Sequence, residues 1–214
     1  MKSKLIDVKQ LTDLKYLNMF QSTFLMENGK TRTYYFASRR KLDQLGYKNK
    51  EYVDAVKVLP YFKKNGKTYV ILNHEFRSPI NDYTYDLCAG IVENQKDMIG
   101  EVKRELMEEL GATAKSVKCV MKPGHTTAGL TDETMSCYIA EIDKIGEQHL
   151  EETEDIERTV VELKDIPEFL ENNTVGATGN LLLQVFYYQK VLEMTEKRNE
   201  NCDLWYWQIL FKKL

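Results

Sequence analysis

The chain has 214 residues, with 30 basic and 33 acidic side chains, a net charge of −3 and 43% hydrophobic residues. That balance leaves no cationic footprint for nucleic acid or an anionic membrane surface. No apolar run approaches the roughly 20 residues a bilayer span needs, so the expectation is a globular protein with one sizeable domain and an appendage.

Residues 1–50 form an N-terminal section. Segments 20–26 and 31–38 are rich in β-branched and aromatic residues, and Glu-Asn-Gly-Lys between them makes a turn, so the pair reads as a β-hairpin. A two-stranded ribbon is marginal alone and must pack against something. Residues 51–197 read as the core. Segments 52–61 and 68–76 are a second hairpin around Lys-Lys-Asn-Gly-Lys. A helix closes the stretch 90–112. Further strands are expected over 117–121 and 134–142, with a loop over 124–133 between them. An acidic loop over 147–157 leads to a strand over 159–163, a short helix within 164–172 and a long helix over 178–197. In the last, Leu182, Val185, Phe186, Tyr188 and Leu192 are available for packing. Residues 198–214 form an aromatic tail carrying Trp205 and Trp207, too short to span a membrane and expected to pack on the core or at a subunit interface.

Cys88, Cys119, Cys137 and Cys202 are scattered without a Cys-x-x-Cys pair, and the N-terminus has no signal-peptide core. The expected compartment is therefore the reducing cytoplasm. His74, His125 and His149 show no ligand spacing, which argues against zinc.

The chemistry concentrates in 90–112. Ile99, Val102, Leu106 and Leu110 recur at three- and four-residue steps as one apolar stripe. Glu105 and Glu109 share a different face, with Glu108 beside them, and Gly111 sits where a helix end favours positive φ. Carboxylates packed this closely repel one another. Two readings are open: a solvated acidic face, or a site where a hard divalent cation such as Mg²⁺ offsets the repulsion. Arg104 can hold the carboxylates in a fork.

Gly90, followed fourteen residues later by Arg104-Glu-Leu-Met-Glu-Glu-Leu-Gly-Ala112, resembles the Nudix box. One position departs: the Glu expected six residues after the Gly is Lys96, which bears on the support of the loop more than on the chemistry. The resemblance implies an α+β Nudix fold, a mixed β-sheet core sandwiched between helices, with an N-terminal antiparallel β-hairpin subdomain. It implies Mg²⁺, with Mn²⁺ as a substitute, held by the Ala89 carbonyl, Glu105 and Glu109, with Glu108 as a further ligand or an orienter.

Other segments resemble the ADP-ribose (nucleoside diphosphate sugar) pyrophosphatase branch. Gly-Lys-Thr-Arg-Thr-Tyr34 with Arg39 resembles its substrate-reading strand, where Tyr34 and Tyr16 would sandwich the base; plain hairpin packing is the alternative. Glu75-Phe-Arg77-Ser-Pro79 resembles the segment whose Arg touches a phosphate, against a surface salt bridge as the alternative. Loop 126–133, with Gly129, resembles a substrate loop, although Ala128 stands where that branch has a proline. Glu152-Thr-Glu154-Asp-Ile resembles the catalytic loop, implying Glu152 as the base and Glu154 as its helper; mere solvation of an acidic loop is the other reading. The implied activity is Mg-dependent hydrolysis of ADP-ribose, or a related nucleoside diphosphate sugar, to a nucleoside monophosphate and a sugar phosphate, by a homodimer. The contrasting possibilities are a non-catalytic sensor of nucleotide sugars on the same fold, or a hydrolase of another nucleotide.

Overall fold

The computed structural model describes residues 3–152 and 154–196. The aromatic tail expected over 198–214 lies outside the described residues. β1 (Ser3–Gln10), β2 (Asn18–Met26) and β3 (Thr31–Ser38) form an antiparallel sheet in that order. The hairpin expected from sequence is thus two strands of three. β1 escapes the period-two pattern because its register with β2 shifts between Leu5 and Asp7, a bulge that resets the alternation.

The larger sheet contains β4 (Ala55–Lys64), β5 (Lys67–Arg77), β6 (Asp82–Asp86), β7 (Cys88–Ile91), β8 (Ala112–His125), β9 (Thr134–Ile145) and β10 (Ile156–Glu162). Its order is β10-β5-β4-β9-β8, with β4 and β9 parallel. β4 and β5 turn at Asn65 and Gly66, both at positive φ (52° and 75°), as a two-residue hairpin connection favours. They pair only from Tyr61 to Lys64 and then diverge. β6 continues on β5 and β7 on β4, so the sheet forks. Asn73 on β5 and Ala89 and Gly90 on β7 stand at that fork.

Period-two alternation splits the core into two layers. Val56, Val58 and Ile71 face α1 (Met98–Leu110), meeting Val102, Leu106 and Leu110. Leu59, Val70 and Leu72 face α2 (Ile166–Asn172) and α3 (Ala177–Glu196), meeting Ile166, Leu183 and Phe186. The mixed sheet is thus sandwiched between helices. Ile99 does not join the α1 stripe; it is 39% exposed, and Met98 takes the inward place in the first turn. On α3 the inward positions are Leu183 and Phe186, while Val185 and Tyr188 face solvent. Among the described residues no helix is long and apolar enough to cross a membrane.

Arg40 locks the small sheet to the large one. Its guanidinium grips Asp54 through two hydrogen bonds (2.9 and 2.6 Å) and donates to the carbonyls of Asn49 (3.1 Å) and Tyr52 (3.2 Å). It lies over the Tyr52 ring, 4.8 Å from the centroid. Asp54 also accepts from the backbone N–H of Thr134 at 2.7 Å. Both charged side chains are buried, so removing one strands the other. Arg40→Met is expected to lower unfolding stability by about 3 kcal/mol or more, the scale for breaking a buried ion pair; urea denaturation measures it.

Candidate active site

α1 is fixed at both ends before its carboxylates come into play. At its start Asp97 accepts a hydrogen bond from the Gly100 N–H at 2.8 Å. At its end Gly111 has φ 58°, and a Cβ there would lie 2.0 Å from the Glu147 carbonyl oxygen. The freed carbonyls are met in turn: Gln148 donates to Glu109 O (2.6 Å), the His149 N–H to Glu108 O (2.8 Å) and Arg158 to Leu110 O (2.8 Å). The acidic loop is therefore tied to the end of this helix. The loop before α1, where Lys96 stands exposed, takes its support elsewhere. Gln95 exchanges two hydrogen bonds with the backbone of Val53 (2.7 and 3.0 Å), and Glu101 accepts from the Glu93 N–H at 2.8 Å. Neither role was legible in the sequence.

Glu105 and Glu109 face the sheet rather than water, at 5% and 4% exposure. Glu105 lies directly over Gly90, where an added Cβ would come within 1.8 Å of its Oε1. Only glycine allows that approach. Arg104 donates to Glu105 (2.6 Å), Glu108 (2.7 Å), Glu101 (3.0 Å) and the Ile91 carbonyl (2.9 Å). Glu109 is held by neutral donors: the Asn73 amide at 2.7 Å and the Ala89 N–H at 3.1 Å, both to Oε2. Burial pushes the Glu105 carboxyl up to about 7, against the pull of Arg104. Burial likewise pushes Glu109 to about 8, which hydrogen bonds from Cys88, Asn73 and Ala89 do not offset. Two desolvated carboxylates short of positive charge are the chemistry a hard cation satisfies. Among the described residues no three acidic, His or Cys side chains already converge on one point.

The remaining predicted residues fall into three groups. Ala89 and Gly90 sit on β7 against Glu109 and Glu105, and Glu108 is half-buried on the same helix. In the acidic loop Glu152 is exposed, while Glu154 accepts from the Glu151 N–H at 2.9 Å. The Glu154 charge reaches Glu105 and Cys88 and raises both. That loop is pinned to β5 and β6: the Phe76 N–H donates to the Asp155 carbonyl (3.2 Å) and the Tyr83 hydroxyl to its carboxylate (2.5 Å). Arg77 is half-exposed and donates to Glu75, whose own carboxyl is raised by burial.

The third group borders the small sheet. The Tyr34 hydroxyl donates to the Gly129 carbonyl at 2.6 Å, bringing together two residues 95 apart in sequence. Arg39 reaches Glu133 at 3.4 Å. Tyr16 is 67% exposed, with Lys15 over its ring. A cavity of about 710 Å³ opens between this sheet and the core, with Tyr34, Phe36, Tyr47, His125, Ala128 and Asp132 among its walls. The glutamates of α1 do not line it.

No family model matches the chain. An uncharacterised Nudix hydrolase of Schizosaccharomyces pombe is 27% identical over 179 residues, covering 79% of this chain and 83% of the relative. An ADP-ribose pyrophosphatase of Saccharomyces cerevisiae is 30% identical over 169 residues, covering 75% and 70%. An ADP-ribose pyrophosphatase of Bacillus subtilis is 27% identical over 177 residues, covering 82% and 86%. A crystal structure described as an ADP compounds hydrolase superposes with a TM-score of 0.63 at 17% identity, covering 91% of this chain and 96% of that one.

The raised carboxyls carry a pH signature. Glu105 and Glu109 hold protons more tightly folded than unfolded, so their contribution to stability is full below the ordinary carboxylate range. It is lost as pH climbs through about 7 and about 8. Thermal melts in EDTA are expected to show stability falling over that interval. Glu109→Gln, which cannot ionise, should flatten the alkaline part of the decline.

Proposed function

The chain belongs to the Nudix hydrolase family, in its ADP-ribose pyrophosphatase branch, and from that membership we propose that it hydrolyses the diphosphate of ADP-ribose, or of a related nucleoside diphosphate sugar, to a nucleoside monophosphate and a sugar phosphate. One observation carries the reading: Glu105 and Glu109 are buried side by side over β7, the first paired with Arg104 and the second held by neutral donors alone. The proposed cation is Mg²⁺, with Mn²⁺ as a substitute, held by Glu105, Glu109 and the Ala89 carbonyl, with Glu108 as a further ligand. When bound, it neutralises diphosphate oxygens and lowers the pKa of water.

The chain's own residues do the rest. Arg104 orients the carboxylates of Glu105 and Glu108 through charge-assisted hydrogen bonds. Arg77 anchors a substrate phosphate, exchanging its bond to Glu75 for one to the ligand. Glu152 takes the proton of the attacking water, and Glu154, whose charge already acts on Glu105, assists beside the cation site. Tyr34, Tyr16 and Arg39 receive the nucleoside, with Gly129 closing the wall through its contact with Tyr34. A homodimer completes that wall. It is supported by the apolar side chains the small sheet and its connection leave exposed, including Ile6, Leu11, Leu14 and Met19. The enzyme works in the cytoplasm, where Cys88, Cys119 and Cys137, all unpaired, stay reduced.

A panel of nucleoside diphosphate sugars incubated with protein and Mg²⁺, with products identified by mass, tests the reading. ADP-ribose is expected to yield AMP and ribose phosphate, and Glu109→Gln to abolish turnover while leaving circular dichroism unchanged. An untouched panel, or a fully active Glu109→Gln variant, overturns it. Glu152→Gln is expected to lower kcat about 100-fold, the scale of losing a general base, with KM little changed. If Glu154→Gln does this and Glu152→Gln is silent, the two roles are exchanged.

A further inference from the structure

Asn73 ends the buried aliphatic run of β5 with a polar side chain. It follows Val70, Ile71 and Leu72 on β5 and is 1% exposed. Like Ile71, it points to the α1 side of the sheet, where packing alone favours Val, Ile or Leu. Its amide is only half satisfied. Nδ2 donates to Glu109, while Oδ1 is buried with no hydrogen-bond partner among the described residues. An orphaned buried acceptor costs folding free energy, and a leucine of nearly the same shape would avoid that cost. The residue is therefore unexplained by packing and is explained by what its other end holds.

Nδ2 and the Ala89 N–H reach the same oxygen of Glu109 from two different strands, at 2.7 and 3.1 Å. One strand lies on each side of the fork, β5 on one and β7 on the other. Two donors converging from different strands, beside the Cys88 thiol, hold that oxygen more firmly than either would alone.

We propose that Asn73 is a positioning residue for the cation site, presetting the Glu109 carboxylate in the orientation in which it takes a divalent ion. The inference rests on the reading of Glu109 as a cation ligand. It adds a residue that touches neither substrate nor metal and acts through Glu109. Partners of this kind orient first ligands, and losing one weakens metal binding roughly 10- to 100-fold.

The test is Mn²⁺ titrated into the whole, substrate-free protein, followed by loss of the free-ion electron paramagnetic resonance signal. Asn73→Leu is measured beside the wild type, with Asn73→Val as a second variant should leucine fail to fold. The expected result is Mn²⁺ affinity reduced tenfold or more, a matching rise in the cation concentration for half-maximal rate, and unchanged KM for the nucleotide. Thermal melting in EDTA should be equal or higher, because the orphaned acceptor is gone. Unchanged Mn²⁺ affinity in the variant overturns the inference, and a lower melting point in EDTA with that result assigns Asn73 to packing. If the wild type binds no Mn²⁺, the cation site itself is refuted, and the role of Asn73 with it.

Discussion

The closeness of α1 to β7 is the constraint from which the rest of the site follows. Gly90 lets the helix settle until the Glu105 carboxylate lies against the strand's backbone. Val102, Leu106 and Leu110, all fully buried, hold it there. The same docking that builds one half of the core therefore drives two acids out of water. A protein selected only for stability gains nothing from this, because burial of an ionisable group without an opposite charge is costly. The fold tolerates it through a large apolar contact around the site and through Arg104, which serves three carboxylates at once.

The surroundings divide into a near side and a far one. β5, β6 and β7 supply fixed backbone and the Asn73 amide. The acidic loop and the small sheet supply charges and aromatic rings from farther away. Arg40 gives the second group a firm base, since its clamp on Asp54 joins the end of β3 to the starts of β4 and β9. Loop 126–133 runs directly into that clamp at Thr134. Its approach to Tyr34 is thus held by a buried ion pair and by the Ala37 N–H, which donates to the Leu130 carbonyl at 2.8 Å.

Much of this was legible from residues alone, for identifiable reasons. Strong local signals did well: Asn65-Gly66 marks its hairpin, Gly111 ends its helix, and the Glu spacing with Gly90 marks the box. Features that depend on distant contacts did not. β1 hides behind a bulge, and β8 is longer than its apolar centre because most of its residues are exposed and its register with β9 shifts four times. Arg40 stands between Arg39 and Lys41 with no pattern to set it apart, yet it is buried while both neighbours are exposed. Asn73 is a polar residue closing an aliphatic run, and only its partner, 36 positions away, gives it meaning. The contact of Tyr34 with Gly129 joins two residues singled out for separate reasons, which sequence spacing could not have linked.

The ties at the two ends of the acidic loop set a leash. His149 is hydrogen-bonded to the end of α1 and Asp155 to β5, and Glu152 stands midway, three residues from each. An extended chain covers at most about 3.5 Å per residue, so the Cα of Glu152 can never be more than roughly 10 Å from either anchor. Its whole range of travel is a small lens of space above the fork. Lengthening the loop would enlarge that lens without altering a single side chain that does chemistry.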